Sequence, residues 1–481
     1  MNFGILDFGA YVPRRRLQRS AVQAANGWFA GGLKELAKGE RAVAHWDEDP
    51  ITMAVEAARA CLGDRDRATV DMVTLASTSH PFADRQNAGV VKEALNLQDT
   101  VASMDIGGGQ RAGISALLSA LSAPARTTLC CAAEKRRTVP GSESEMMFGD
   151  AAAAFLVGEG EPIARLIGLY NVTVDFVDHF RANGAETDYG WESRWVRDEG
   201  YANVGAGALK AALAKLGIEG GKVDRLLVPI TVRGVPELFA KKAAIRPEAV
   251  ANVLSNNVGD SGAAHPLLML AAVLEQAQPG ETLVVVGFGQ GCDVLVLETT
   301  EALLGAKRGT VAATLARRLP ETNYLRHLWF TGALHYEKGM RAEQDQKTAL
   351  TALYRNRKSV LGLVGGKCTK TGAVQFPRSD ISVSQSQPAV GTQQDYPLAD
   401  VPARIVTFTA DSLTYSPDPP SWYGMIDFEG GGRMMAEFVD VAPEDVKVGR
   451  RMRMVFRIKA IDELRDFKRY FWKAVPSDTA S

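Results

Sequence analysis

An α/β fold made of two like halves, followed by a smaller β-rich domain, is predicted from three features of the sequence. A set of strand-like and helix-like stretches in the first 160 residues recurs in the same order about 150 residues later. Each set joins a glycine-rich turn to an apolar helix. Beyond Thr300 the alternation stops, first in a charge-rich helical stretch and then in short strands with turn residues between them.

In the first set, "VDMVTLAS" (Val70–Ser77) reads as a buried strand and is followed by a helical stretch. The turn and helix "IGGGQRAGISALLSAL", the strand "TTLCCAA" and "GDAAAAFLVG" (Gly149–Gly158) come next. In the second set the order is "VDRLLVPI" (Val223–Ile230), a helical stretch, "NVGDSGAAHPLLMLAAVLE" (Asn257–Glu275), "ETLVVVGFG" and "GQGCDVLVLE". So long a period, with strands and helices alternating, points to a duplicated α/β unit rather than a solenoid. The expected divisions are 1–160 and 161–305 for the halves, 306–360 for a helical connecting arm and 361–481 for the last domain. In that domain "ARIVTFTADSLTY", "WYGMIDFEGG", "RMMAEFVDV" and "RRMRMVFRIKA" read as antiparallel strands of a small barrel of the OB type. "ISVSQSQPAVGTQQDYPLAD" reads as a flexible loop.

Bulk properties narrow the function. The 481 residues carry a formal charge of −1, which gives no footprint for nucleic acid or for an acidic membrane surface. No apolar run reaches the roughly 20 residues that cross a bilayer. The basic cluster of "MNFGILDFGAYVPRRRL" follows its apolar stretch, the reverse of a signal peptide, so a cytoplasmic location is expected. The five cysteines include no CxxC pair, and the six histidines (45, 80, 179, 265, 327 and 335) lack clustered spacing. Neither a disulfide framework nor a bound metal is expected.

Several strings carry a family resemblance. In "GAYVPRRRL", "ITMAVEAAR", "STSHPFADRQNAGVVKEAL", "GISALLSAL", "FGDAAAAFLVG", "WESRWVRDEGY" and "GFGQGCD", residues 1–305 resemble the thiolase superfamily, in the branch of hydroxymethylglutaryl-CoA synthase and the initiating ketoacyl synthases. In "RNRKSVLGLVGGKC", "TFTADSL", "IDFEGGGRMM", "VGRRMRMVFR" and "YFWKAVP", residues from about 310 to 476 resemble the zinc-ribbon and OB-fold domain that accompanies thiolase-like enzymes. The resemblance implies a layered αβαβα fold, an acyltransferase-type role in lipid metabolism, and a CoA thioester as substrate or ligand with no other cofactor. It also implies a homodimer, or a heteromer with a thiolase that keeps its cysteine.

The family's chemistry makes or breaks a carbon–carbon bond beside a thioester carbonyl. It uses a Cys nucleophile at a helix N-terminus, with His, Asn and often Glu as acid, base and oxyanion donors. Aligned by motif, the Cys position falls on Gln110, the Glu position on Thr78, the His position near Pro229 and the Asn position near Asp260. No His occurs between His179 and His265, and an amide cannot be acylated to a thioester. By this count all four expected groups are missing. The ribbon departs likewise: Cys368 stands without the second cysteine, Thr371 being in its place, and one thiolate cannot hold a tetrahedral zinc.

The candidate catalytic groups are therefore Gln110, Asp260, His265 and Cys292. Gln110 resembles the Gln of decarboxylating ketosynthases, which holds an enolate, and it reads equally as a neutral filler. His265, at the start of the second helix, suits acid/base work with Asp260, or a core hydrogen bond. Cys292 is a substitute nucleophile or a small residue packed into the sheet. Thr78, His80 and Gly289 are expected around the substrate, and Arg233, Lys241 and Lys242 at the mouth, facing CoA phosphates or simply solvent. Three functions stay open: a hydroxymethylglutaryl-CoA synthase-like enzyme that works without covalent acylation, a non-catalytic CoA-binding subunit of a thiolase complex, and a Gln-type malonyl-thioester decarboxylase.

Overall fold

The structure, a computed structural model, describes every residue except 1, 124–125, 307–308, 344, 346, 385–387 and 478–481. Two units emerge: residues 1–45, 49–91 and 98–334 form the first, and residues 46–48, 92–97 and 335–481 the second. Of the segment expected as a connecting arm, helices Thr310–Ala316 and Tyr324–Thr331 belong to the first unit and helix Leu350–Arg355 to the second.

The first half of the first unit supplies strands β1 (Phe3–Tyr11), β2 (Met72–Ala76), β3 (Ala102–Ile106), β4 (Thr128–Glu134) and β5 (Ala151–Glu159), in the spatial order β3-β2-β4-β5-β1. The second half supplies β6 (Ala164–Thr173), β7 (Arg225–Leu227), β8 (Thr282–Phe288) and β9 (Gly291–Thr299), in the order β7-β8-β9-β6. Val250 forms a parallel bridge with Leu226 of β7, where a third strand of that half belongs. Each half thus reads third, second, fourth, fifth, first, with parallel pairing on the early strands and antiparallel pairing on the last two. The halves join where Ile5 of β1 pairs with Ala164 of β6, giving one nine-stranded sheet. That is the duplicated α/β unit the repeated elements predict, in the thiolase-like arrangement the resemblance implies.

Strand periodicity divides the core. Leu283 and Val285 of β8 and Leu295 and Leu297 of β9 pack with helices α2 (Ala112–Leu121) and α5 (His265–Leu274). Their neighbours Val284, Val286, Val294 and Val296 point to the opposite face, against α3 (Ala206–Leu216) and α4 (Val235–Lys242). Such alternation follows from successive side chains leaving a strand on opposite sides. Helix α1 (Pro50–Leu62) covers the first half. Its capping box is reciprocal: Asp49 Oδ1 accepts from Thr52 N at 3.0 Å, and Thr52 Oγ1 accepts from Asp49 N at 2.8 Å. Among the described residues no helix is long and apolar enough to cross a membrane.

In the second unit, β10 (Val364–Cys368) pairs with β11 (Val374–Gln375) on one side and β12 (Gln393–Pro397) on the other. The stretch expected as a loop therefore contains a strand. Its residues 385–387 lie outside the described residues.

Strands β13 (Ala403–Ile405), β14 (Ser421–Phe428), β15 (Arg433–Glu437), β16 (Arg451–Asp462) and β17 (Phe467–Pro476) then form the barrel. β13 pairs with β14 and β16, β14 with β15, and β16 with β17. A bridge from Phe438 to Ala474 of β17 closes the circuit. The resulting order, first-second-third-fifth-fourth-first, is the Greek-key closure of an OB fold. Trp472, Phe456 and Tyr470 are in its packed interior, and Trp472 Nε1 donates to Leu361 O at 2.7 Å.

Candidate functional site

The segment after β3 does not run straight into a helix. Gly107–Gly109 form an irregular turn, Arg111 is the N-cap and α2 starts at Ala112, so Gln110 precedes the helix by two residues. Arg111 anchors this turn, its Nη1 donating to Asp293 Oδ1 at 3.1 Å and to Val172 O at 3.2 Å. Gly289 comes close to the same turn: a Cβ there would lie 3.3 Å from Arg111 N, at a φ of +152°. Only glycine accommodates both that backbone and that approach.

Beyond β6 the chain forms a short hairpin in which His179–Phe180 pair with Tyr189–Gly190. It carries His179 to the glycine turn. His179 Nε2 is 3.0 Å from Gln110 Nε2, and its Nδ1 is 3.0 Å from Asp178 Oδ1. A carboxylate only accepts, so Nδ1 carries the proton and Nε2 offers a lone pair to the Gln110 amide. Burial works against the imidazolium, but the hydrogen bond and charge of Asp178 outweigh it, and the His179 pKa is raised.

The second half contributes Asp260. Its main chain is clamped to the first half, with Asp260 N donating to Met147 O and Gly149 N to Asp260 O, each at 2.8 Å. A Cβ on Gly149 would collide with Val258 O, so this crossing needs glycine. Asp260 Oδ1 accepts from Gly262 N at 2.8 Å and is 3.2 Å from Arg136 Nη2. Arg136 lies over the Phe148 ring at 3.5 Å and also faces Asp188, which Arg181 holds at 2.7 Å. Burial disfavours the Asp260 carboxylate, yet Arg136 and the Gly262 amide prevail, and its pKa is lowered.

These groups line a cavity of about 510 Å³. Gln110, Asp178, His179 and Asp260 supply its polar wall, Phe148, Trp191, Tyr201 and Phe288 its aromatic one. Arg194 and Arg197 are also on its lining. Among the described residues no group of three or more His, Cys, Asp or Glu is arranged to hold a metal ion.

Of the groups expected from sequence, Gln110 and Asp260 meet at this cavity and Gly289 backs its glycine turn. His265 does not reach it. The ring is fully buried, Nδ1 being 3.1 Å from Ser261 Oγ and Nε2 3.0 Å from Val253 O, and burial lowers its pKa, so it is a neutral core histidine. Cys292 faces the α3/α4 side with Val294 and Val296, is fully buried, and has its thiol pKa pushed up to about 12 by burial. It is no nucleophile.

Thr78 instead belongs to a cluster around the buried Glu134, which accepts from Thr78 N and Oγ1 at 3.1 Å, from Ser77 and Ser79, and from Ala263 N. His80 Nε2 is 3.2 Å from Leu75 O and is not on the cavity wall. Arg233, Lys241 and Lys242 are exposed on and beside α4, with Lys242 Nζ donating to Ala202 O at 2.8 Å, and Thr231 and Val232 line the cavity in their stead. Pro229, the family's His position, does line the cavity, but the imidazole there arrives from residue 179. The expectation that His265 is the histidine of the site is thereby corrected, the imidazole beside Gln110 being that of His179.

The fold is thiolase-like, and its cavity brings an Asp178–His179 pair to Gln110, where the resemblance places a cysteine. Over 339 residues, 68% of this chain and 95% of the relative, the sequence is 27% identical to a hydroxymethylglutaryl-CoA synthase of Caldivirga maquilingensis. An HMG-CoA synthase solved in complex with CoA superposes with a TM-score of 0.61 at 18% identity, covering 72% of this chain and 95% of that one. The 3-oxoacyl-[acyl-carrier-protein] synthase III of Aquifex aeolicus gives 0.54 at 19% identity, over 62% of this chain and 99% of its own. Residues 396–457 match the family described as ChsH2, C-terminal OB-fold domain. The chain has a thiolase-like fold, is similar in sequence to hydroxymethylglutaryl-CoA synthases, and carries a C-terminal OB-fold domain.

Proposed function

We propose that this protein makes or breaks a carbon–carbon bond beside the carbonyl of a CoA thioester by non-covalent acid–base chemistry. The observation that carries the reading is the Asp178–His179–Gln110 chain, with both links at 3.0 Å, on the wall of the cavity. An Asp–His pair normally activates a nucleophile. Here the third member is an amide that donates to His179 Nε2 and has no acid proton to give up, so Nε2 becomes the base once a substrate hydroxyl takes the place of that amide.

In the cleavage direction His179 takes the proton of a β-hydroxyl and the bond between Cα and Cβ breaks. Its electron pair moves onto the thioester as an enolate. The proton then returns from His179 to Cα, leaving a carbonyl compound and a shorter acyl-CoA, with no net change in protons. Synthesis is the same path reversed. CoA as the carrier is supported by the solved HMG-CoA synthase that holds CoA.

The test is incubation of the full chain with 3-hydroxy-3-methylglutaryl-CoA, malonyl-CoA and acetyl-CoA, following the acyl-CoA products by chromatography. Cleavage of the hydroxyacyl thioester, lost in His179→Ala, is the expected result. Release of carbon dioxide from malonyl-CoA alone would replace this reading with a decarboxylase. Turnover only after addition of a Cys-containing thiolase would replace it with the non-catalytic subunit.

A further inference from the structure

Tyr201 is in a π-helical stretch, Val196–Gly205, an arrangement that is rare and recurs at functional positions. Its side chain lines the cavity, and its ring is set edge-on to Phe288 with centroids 5.1 Å apart. Gly200 beside it leaves room for Phe176, whose Cε1 would be 2.6 Å from a Cβ at that position. The ring is thus set against Phe288 and packed on the apolar cluster that includes Phe176 and Phe288. Its hydroxyl has no hydrogen-bond partner among the described residues and is not sealed from the cavity.

We propose that the missing partner is substrate, and that Tyr201 donates its hydrogen bond to the thioester carbonyl oxygen as that oxygen gains charge. The inference rests on the acyl-thioester reading above. Two carboxylates, Asp178 and Asp260, are the charges that act on the phenol, and burial together with them raises its pKa. The hydroxyl therefore stays protonated throughout, a donor and never an acceptor-only phenolate. When the Cα–Cβ pair moves into the enolate, the proton remains on Tyr201 and only the hydrogen bond strengthens. His179 alone moves the proton. A donor aimed at a developing oxyanion stabilises the transition state more than the ground state.

The experiment compares two CoA thioethers with the full chain, S-ethyl-CoA as the uncharged probe and S-(2-nitroethyl)-CoA, whose nitronate mimics the enolate. Tyr201→Phe is expected to weaken the nitronate by about 10²–10³-fold and leave S-ethyl-CoA within about threefold of wild type. Turnover of a hydroxyacyl-CoA is expected to fall in kcat with KM nearly unchanged. Equal loss for both probes, or loss for neither, would overturn the assignment to Tyr201 while the acyl-thioester reading stands. Wild type that binds neither probe would overturn both. Placing 3,5-difluorotyrosine at 201 keeps ring and hydroxyl should the Phe variant fail to fold. It lowers the phenol pKa, and nitronate affinity is then expected to fall off at a lower pH than in wild type. An unchanged pH dependence would overturn the proposal as well.

Discussion

Nε2 of His179 faces the side-chain nitrogen of Gln110 at 3.0 Å, across 69 positions of sequence. With Asp178 on Nδ1, the ring is fixed in the tautomer that turns the Nε2 lone pair to the Gln110 amide at the cavity wall. A lone pair there is a base, and a base whose conjugate acid is stabilised leaves a signature in pH.

Activity is expected to need neutral His179 and so to fall as pH drops through the pKa of that group. Because the pKa is raised from 6.5, the acid limb should lie above that value. Asp178→Asn removes the charge that favours the imidazolium and leaves burial to act against it, so the limb should move to lower pH. The rate at the plateau should fall by about 10²–10³-fold. A pH–rate profile measures both. A limb that stays in place would show that another group titrates.

Gln110→Cys puts a thiol within reach of the Asp178–His179 pair, which is the setting that makes a cysteine nucleophilic. Intact-mass spectrometry after exposure to acetyl-CoA should show no adduct on wild type and one acetyl group on the variant. Cys61, Cys130, Cys131 and Cys292 are buried with raised pKa values and should not compete. An unmodified variant would mean that His179 does not serve position 110.

The duplicated halves were legible because each strand is an apolar run and each crossing a glycine turn, and the strand order in both halves bears this out. The site was legible only where such turns announced it, at Gln110 and Asp260. His179 is in a stretch with neither strand nor helix periodicity, and its partner is far away in sequence. His265 was misleading because a histidine at a helix start reads alike whether it faces a cavity or, as here, Ser261 and Val253. Cys292 was decidable in principle: period-two alternation puts it with Val294 and Val296, on the face away from α2.

Gly149 tests how the two halves are joined. An alanine there would drive its Cβ into Val258 O, backbone against backbone, where no side chain can give way. Gly149→Ala is expected to cost about 3 kcal/mol and to lower the unfolding midpoint by about 5–10 °C. It should also weaken acyl-CoA binding, since Asp260 is bonded to the same crossing. A midpoint within a degree of wild type would show that the crossing yields easily.

Asp47 tests the second unit. Its carboxylate, fully buried, is 2.9 Å from Lys473 Nζ and 3.4 Å from Arg457 Nη1, and both cations are buried as well. Asp47→Ala leaves two buried cations with one carboxylate fewer, at an expected cost of about 3 kcal/mol. Arg457 keeps Glu48 at 2.6 Å and Asp440 at 2.8 Å, so the loss should not reach the upper end for a broken buried pair. Urea unfolding followed by the fluorescence of the barrel tryptophans, Trp422 and Trp472, reads this directly.

The sheet of β10, β11 and β12 carries the last prediction. There Cys368 Sγ is 3.1 Å from Thr392 Oγ1, and Thr371 Oγ1 is 3.4 Å from Ser382 Oγ. Hydroxyls are poor zinc ligands, and a single thiolate does not complete a tetrahedral site. They do bond to one another, which holds the strand ends together without a metal. Structural zinc sites contribute their binding energy to folding, so a chelator unfolds the domains that depend on them. Here the unfolding midpoint is expected to be the same with and without a chelator, and metal analysis should find well under one zinc per chain. A stoichiometric zinc, or a midpoint that falls on chelation, would require further ligands to complete the site around Cys368.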